Sequence, residues 1–98
     1  MLCFNSCEKK LVLTGTTWSG TTFESNSTMT IRFSDFEASM RLGSNTNTYT
    51  YEIEGKSIVM LYPKSSSLAV MKGVVIDKKT MELYNTSYNK MVVILKKQ

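Results

Sequence analysis

The sequence of 98 residues predicts an all-β fold, an eight-stranded antiparallel up-and-down (meander) barrel. Short runs of alternating apolar and polar residues recur about every ten residues. Polar turns of about two to five residues separate them, and no segment keeps a helical period beyond about two turns. Short connections force neighbouring strands to pair antiparallel, and an even-numbered meander closes by pairing its first strand with its last.

Size and composition indicate a single folded domain behind a short tail. Ninety-eight residues support one core, and a 42% hydrophobic and 10% aromatic content is typical of a globular chain. Residues 1–10 are predicted to be a tail and residues 11–98 the barrel. The net charge of +4 comes from lysines placed at both ends of the domain and scattered between them. A nucleic-acid surface would need clustered cations with exposed aromatic residues. The sequence shows no such cluster, so we do not expect nucleic-acid binding.

The tail contains both cysteines, Cys3 and Cys7. The stretch Phe4-Asn5-Ser6-Cys7 resembles the end of a bacterial lipoprotein signal peptide, with an apolar residue three positions before the cysteine and a small one directly before it. This resemblance implies lipid attachment at Cys7 and a membrane-anchored protein in the envelope of a Gram-negative bacterium, at the outer membrane or in the periplasm. The alternatives are an ordinary tail with two incidental cysteines, or a Cys3–Cys7 disulfide that would constrain little.

The barrel begins with Leu11-Val12-Leu13, which predicts either one turn of 3₁₀ helix or the start of the first strand. The only tryptophan, Trp18, follows, and we expect it to plug one end of the barrel with its N–H bonded to a backbone carbonyl at the rim. Strands are predicted over residues 18–24, 27–33, 37–42, 48–54, 57–62, 68–76, 80–84 and 90–96. Gly55 is expected to supply a positive φ in a hairpin turn, and Gly73 a bulge or bend.

Alternation in these strands predicts which side chains face inward. The inward row, a candidate for either the core or the lining of a ligand site, consists with Trp18 of Met29, Ile31, Phe33, Met40, Tyr49 and Tyr51. An eight-stranded barrel is just wide enough to be filled by its own side chains or to hold one small ligand. Large inward side chains favour a filled barrel. The methionines on separate strands, including Met71 and Met91, are alternatively suited to an adaptable ligand surface.

At the level of pattern, residues 11–97 resemble the small lipocalin-like, or calycin, lipoproteins of Gram-negative bacteria. The resemblance is carried by Gly15-Thr16-Thr17-Trp18, by Tyr49-Thr50-Tyr51-Glu52-Ile53 running into Glu54-Gly55-Lys56, and by the hairpin from Gly73-Val74-Val75-Ile76-Asp77 to Thr80-Met81-Glu82-Leu83. It implies a lipocalin-like barrel in which Lys96 or Lys97 is the basic residue packed against Trp18.

No catalytic or metal-binding pattern is visible, and we expect neither enzymatic activity nor a cofactor. The chain has no histidine, which is the commonest general base and zinc ligand. Asp35 and Glu37 flank a turn, where acidic residues are ordinary.

The sequence therefore predicts a non-enzymatic, monomeric envelope lipoprotein that acts as a binding or protein-interaction module such as an inhibitor. The first alternative is a carrier or sensor of a small apolar ligand, entering near the loops at Asn45 and Pro63. The second alternative is an OB-type barrel that binds single-stranded nucleic acid; it would need five strands and a basic, aromatic face.

Overall fold

The computed structural model describes residues 10–98 and confirms the all-β, eight-stranded antiparallel up-and-down barrel. The strands are β1 (Thr17–Thr21), β2 (Thr28–Phe33), β3 (Glu37–Leu42), β4 (Asn45–Glu54), β5 (Ile58–Pro63), β6 (Met71–Asp77), β7 (Thr80–Asn85) and β8 (Lys90–Lys97). Each strand pairs with the next, and β8 returns to β1, where Lys97 lies opposite Trp18 and Lys96 opposite Ser19. Residues 10–98 contain no helix long and apolar enough to cross a membrane.

The meander gives the barrel two different ends. The turns after β2, β4 and β6 lie at one end, together with the last residues of β8. Residues 10–16 cross this end, because the Leu11 N–H donates to the Gly55 carbonyl at 3.1 Å and the Gly15 N–H donates to the Phe33 carbonyl at 2.8 Å. We call it the closed end. The turns after β1, β3, β5 and β7 surround the opposite, open end.

In this closing segment, residues 11–13 form neither a 3₁₀ turn nor part of the first strand, and a turn follows at Thr14-Gly15. Leu13 and Trp18, the second residue of β1, are each only 2% exposed, so both side chains are buried at the closed end. The Trp18 indole N–H donates to Thr16 Oγ1 at 2.9 Å, and that hydroxyl donates to the Leu13 carbonyl at 2.6 Å. The predicted bond from Trp18 to a backbone carbonyl is therefore replaced by a relay through Thr16.

The predicted inward row is confirmed as a row. Its members from β2 and β3, together with Trp18, are buried, and Tyr49 and Tyr51 are half-buried against the core. Both tyrosines lie on one face of β4, whose residues alternate between half-buried and exposed from Thr48 to Glu54. The core is completed by Ala38 of β3 and, from β5, β7 and β8, by Val59, Leu61, Met81, Leu83, Val93 and Leu95.

Three boundaries differ from the sequence prediction by three residues, and the others by at most one. Strand β4 begins at Asn45, because Gly43, with φ of 62°, allows a two-residue turn in place of the expected loop over residues 43–47. Strand β1 ends at Thr21, and β6 begins only at Met71. Gly55 has the predicted positive φ, 69°.

Gly73 occupies a regular register position rather than the expected bulge, lying opposite both Val59 and Leu83. The reason for glycine is packing, because a Cβ there would lie 2.8 Å from the side chains of both Val59 and Met81. The irregularities of register occur instead between Val75 and Asp77, and between Leu83 and Tyr84.

Candidate functional site

The open half of the barrel contains a cavity of about 630 Å³ that opens between the turns of the open end. Its walls come from six of the eight strands and from two of the turns. The apolar lining consists of Met29, Met40, Leu42, Tyr49, Met71, Met91 and Val92, and the polar rim of Thr22, Glu24, Ser25, Asn47, Asn85, Tyr88 and Lys90.

Four methionines dominate the apolar wall, one each from β2, β3, β6 and β8. The register places fully buried Ile31 opposite Met40, and fully buried Leu61 opposite Met71. Neither Ile31 nor Leu61 lines the cavity, so the cavity ends at their level and the barrel below it is filled. Unbranched thioether side chains are flexible and polarisable, and such a wall adapts to apolar molecules of different shape.

A bulge in β8 shapes one side of the cavity. Leu83 lies opposite Val93 while the next residue, Tyr84, lies opposite Met91, so Val92 is an extra residue in the ladder. Met91 and Val92, the two residues at this bulge, both line the cavity.

The rim carries polar groups but little net charge. Lys90 Nζ lies 3.0 Å from Glu24 Oε2, with side chains 65% and 81% exposed, and such an exposed pair is worth little energy. The Asn85 side-chain oxygen accepts hydrogen bonds from the Ser87 N–H at 2.8 Å and the Tyr88 N–H at 3.3 Å, which fixes the turn after β7. The mouth thus presents amide, hydroxyl and phenol groups around an electrically balanced ion pair.

The structure divides the predicted site residues between the two halves of the barrel. Met29, Met40 and Tyr49 line the cavity, whereas the others belong to the filled half. There the rings of Phe33 and Tyr51 meet edge to face at 5.1 Å, and the Tyr51 hydroxyl donates to the Ser34 carbonyl at 2.6 Å. The expectation of a filled barrel is therefore confirmed for the closed half and wrong for the open half.

Several residues that line the cavity are not among those predicted from the sequence to face inward. Met71 and Met91 had a signal, since the count of methionines on separate strands already suggested an adaptable ligand surface. The sequence predicts a loop at Asn47, which gives no reason to expect its side chain in the cavity wall. The position of Val92 depends on a bulge that no sequence pattern marks. The loops named for the entrance do lie at the open end, although neither Asn45 nor Pro63 lines the cavity.

Residues 10–98 include no group of three or more cysteine, aspartate, glutamate or histidine side chains that could hold a metal ion. Cys7, the predicted lipid attachment site, lies outside the described residues. Comparison of the chain with protein-family models, with curated proteins and with solved structures finds no match.

Proposed function

We propose that the protein binds one small, largely apolar molecule in the open half of its barrel. The observation that carries this proposal is the cavity of about 630 Å³ with four methionines in its wall. Small-molecule sites have volumes of roughly 300–1,000 Å³ and combine an apolar lining with a few polar groups. This makes the carrier or sensor hypothesis stronger than the interaction hypothesis that a filled barrel would favour.

The chemistry of the lining describes the ligand. Its body is apolar and contacts the methionines, and its head reaches the amides and hydroxyls of the rim. Because Glu24 and Lys90 neutralise one another, the rim favours an uncharged polar head such as an alcohol over a strongly charged one.

The anchoring hypothesis remains part of this proposal. We propose that Cys7 carries a lipid and holds the barrel at the envelope of a Gram-negative bacterium, as Phe4-Asn5-Ser6-Cys7 suggests. A lipocalin-like ancestry is consistent with the closed barrel, the Gly15–Trp18 stretch and the position of Lys97 opposite Trp18.

A fluorescent apolar probe, N-phenyl-1-naphthylamine, tests the cavity directly. We expect saturable binding at one probe per chain, with displacement by dodecanol. Asn47 is exposed and lines the cavity, so Asn47→Trp should fill the mouth and weaken binding at least tenfold without loss of stability. Thr48→Trp is the matched control, because the next residue of β4 points to the opposite face.

Failure of the wild-type protein to bind the probe saturably would contradict the proposal. An equal loss of probe affinity in the two tryptophan variants would also contradict it, since of the two substituted residues only Asn47 lines the cavity.

A second candidate function, protein interaction, is favoured by the outer face of β5 to β8. One row across these strands is Ile58, Val74, Glu82 and Ile94, and the neighbouring row contains Met60, Lys72 and Tyr84. The Tyr84 hydroxyl donates to Glu82 Oε1 at 2.9 Å, and this bond raises the pKa of Tyr84 above its ordinary value, keeping the phenol neutral. Methionine, tyrosine and isoleucine with few charges are typical of protein interfaces.

The two candidates respond to different substitutions. Met60→Lys on the outer face should leave probe binding unchanged, and it would abolish capture of a protein partner if that face were the functional one. Loss of partner capture in Asn47→Trp instead would assign the partner to the mouth of the barrel.

A further inference from the structure

The lysines of this chain are gathered at the closed end of the barrel. The turn after β6 supplies Lys78 and Lys79, and the turn after β4 supplies Lys56. The end of β8 and the closing segment add the rest of the set, which we call the basic pole: Lys10, Lys56, Lys78, Lys79, Lys96 and Lys97, all exposed.

Few carboxylates offset these charges. The same end carries four, Asp35, Glu37, Glu54 and Asp77, against the six lysines of the basic pole. Asp77 is engaged within its own turn, because its Oδ1 accepts a hydrogen bond from the Lys79 N–H at 2.9 Å. Two lysines outside the basic pole are paired with carboxylates: Lys90, at the open end, lies 3.0 Å from Glu24 Oε2, and Lys64 lies 2.9 Å from Glu37 Oε2. The positive charge of the molecule is therefore concentrated at one end.

Exposed apolar side chains occur among these lysines. Phe36, in the turn between β2 and β3, is 80% exposed, and Val12, in the closing segment, is 74% exposed. Ile76, next to the turn after β6, is 52% exposed. Lysines mixed with exposed apolar residues are typical of surfaces that bind the interface of an anionic lipid bilayer, where the cations meet phosphates and the apolar groups enter the headgroup region.

The chain itself leads to the same end. The nine residues outside the described part join the barrel at Lys10, directly before Leu11, whose N–H bonds to Gly55 in the turn after β4. Any attachment to a membrane through the tail would thus join the barrel at the end that carries the basic pole.

We propose that the basic pole is a membrane-docking surface that binds anionic phospholipid and leaves the mouth of the cavity facing water. The inference deepens the anchoring part of the proposed function, but it requires neither acylation of Cys7 nor a ligand in the cavity. It also implies that the ligand enters from the aqueous phase.

The test uses the full chain with Cys3→Ser and Cys7→Ser, so that no acyl group contributes. In co-sedimentation at low salt, we expect binding to vesicles of phosphatidylcholine with 30% phosphatidylglycerol and at least tenfold weaker binding to pure phosphatidylcholine. Salt at about 0.5 M should screen most of the attraction, because the Debye length is then only about 4–5 Å.

Charge-neutralising variants locate the surface. Each lysine near an anionic membrane contributes about fivefold in affinity, so Lys78→Gln with Lys79→Gln should reduce binding by more than tenfold. Lys64→Gln with Lys90→Gln is the matched control, because both lysines lie outside the basic pole and are already paired with Glu37 and Glu24. It changes the net charge equally and should reduce binding less than threefold. Circular dichroism establishes that both pairs remain folded.

Two substitutions of exposed apolar residues test whether apolar side chains of the closed end enter the lipid headgroup region. Phe36→Ser should weaken vesicle binding severalfold, and Leu68→Ser, at a residue 75% exposed in the loop after β5, should not.

The proposal is overturned if anionic vesicles are not bound, if the two lysine pairs have equal effects, or if a DNA duplex is bound while vesicles are not. Probe binding by the same protein separates the outcomes, because a protein that binds N-phenyl-1-naphthylamine but no vesicles retains the cavity function and loses only the docking surface.

Discussion

The closed and open halves of this barrel are built from the same eight strands but are packed differently. In the closed half, Leu13 enters from the end, the Trp18 side chain is held by Thr16, and Phe33 packs edge to face on Tyr51. In the open half no segment of residues 10–98 crosses the end, and methionines line a cavity of about 630 Å³. We therefore expect the closed half to contribute most of the free energy of folding, and the open half to contribute the ligand site.

The largest effect should come from the filled half. Phe33 is 1% exposed, and Phe33→Ala should lower the free energy of unfolding by about 3–5 kcal/mol. Met71→Ala, in the cavity wall, should cost less than half as much, because Met71 already borders open space. Urea denaturation monitored by Trp18 fluorescence measures both. Equal losses would mean that the open half is packed as tightly as the closed half.

The closure of the barrel depends on a second buried contact, at the seam between β1 and β8. A Cβ at Gly20 would collide with the backbone carbonyl of Ile94 and lie 3.0 Å from Val93 Cγ2. Gly20→Ala should therefore destabilise the fold by about 1–3 kcal/mol or more, since a backbone group cannot turn away.

Gly73→Ala is the comparison for this seam and should cost less than Gly20→Ala. Its added methyl would meet only the side chains of Met81 and Val59, which can adjust. Thermal unfolding of the two variants decides the order, and a larger loss at Gly73 would contradict this account of the seam.

The smallest effect is electrostatic and lies in the turn after β6. The hydrogen bond from the Lys79 N–H, followed by that from the Thr80 hydroxyl, lowers the pKa of Asp77 below 3.8. A lowered folded-state pKa means that ionised Asp77 stabilises the fold above its unfolded pKa and loses this effect as pH falls through the folded value. The stability difference between wild type and Asp77→Asn should hence be small at pH 7 and vanish in acid. A difference that grows as the pH falls would reverse the sign.

Much of the fold could be predicted from the sequence because it rests on local signals. The alternation in residues 28–33 and the glycine at position 55 mark a strand and a turn within a few residues of chain, and both are found as expected. The burial of Leu13 beside Trp18 could not be predicted, because it depends on how residues 10–16 meet the turn after β4.

The site was only partly predictable, because it depends on contacts between residues that are distant in the sequence. Which inward residues touch one another is a matter of strand stagger around the barrel, and which residue is extra in β8 is decided by its pairing with β7. Alternation therefore identified Met29 and Met40 as inward but gave no sign that they border open space.

Methionine methyl resonances test the central claim, that the open half is a binding cavity, most directly. In carbon–proton spectra of protein labelled at the methionine methyl groups, titration with dodecanol should shift Met29, Met40, Met71 and Met91 together, saturating at one ligand per chain. Met81, fully buried in the core, and Met60, on the outer face, are the internal controls and should not move. No shift in the four cavity methionines, or a saturable shift confined to Met60, would contradict the account.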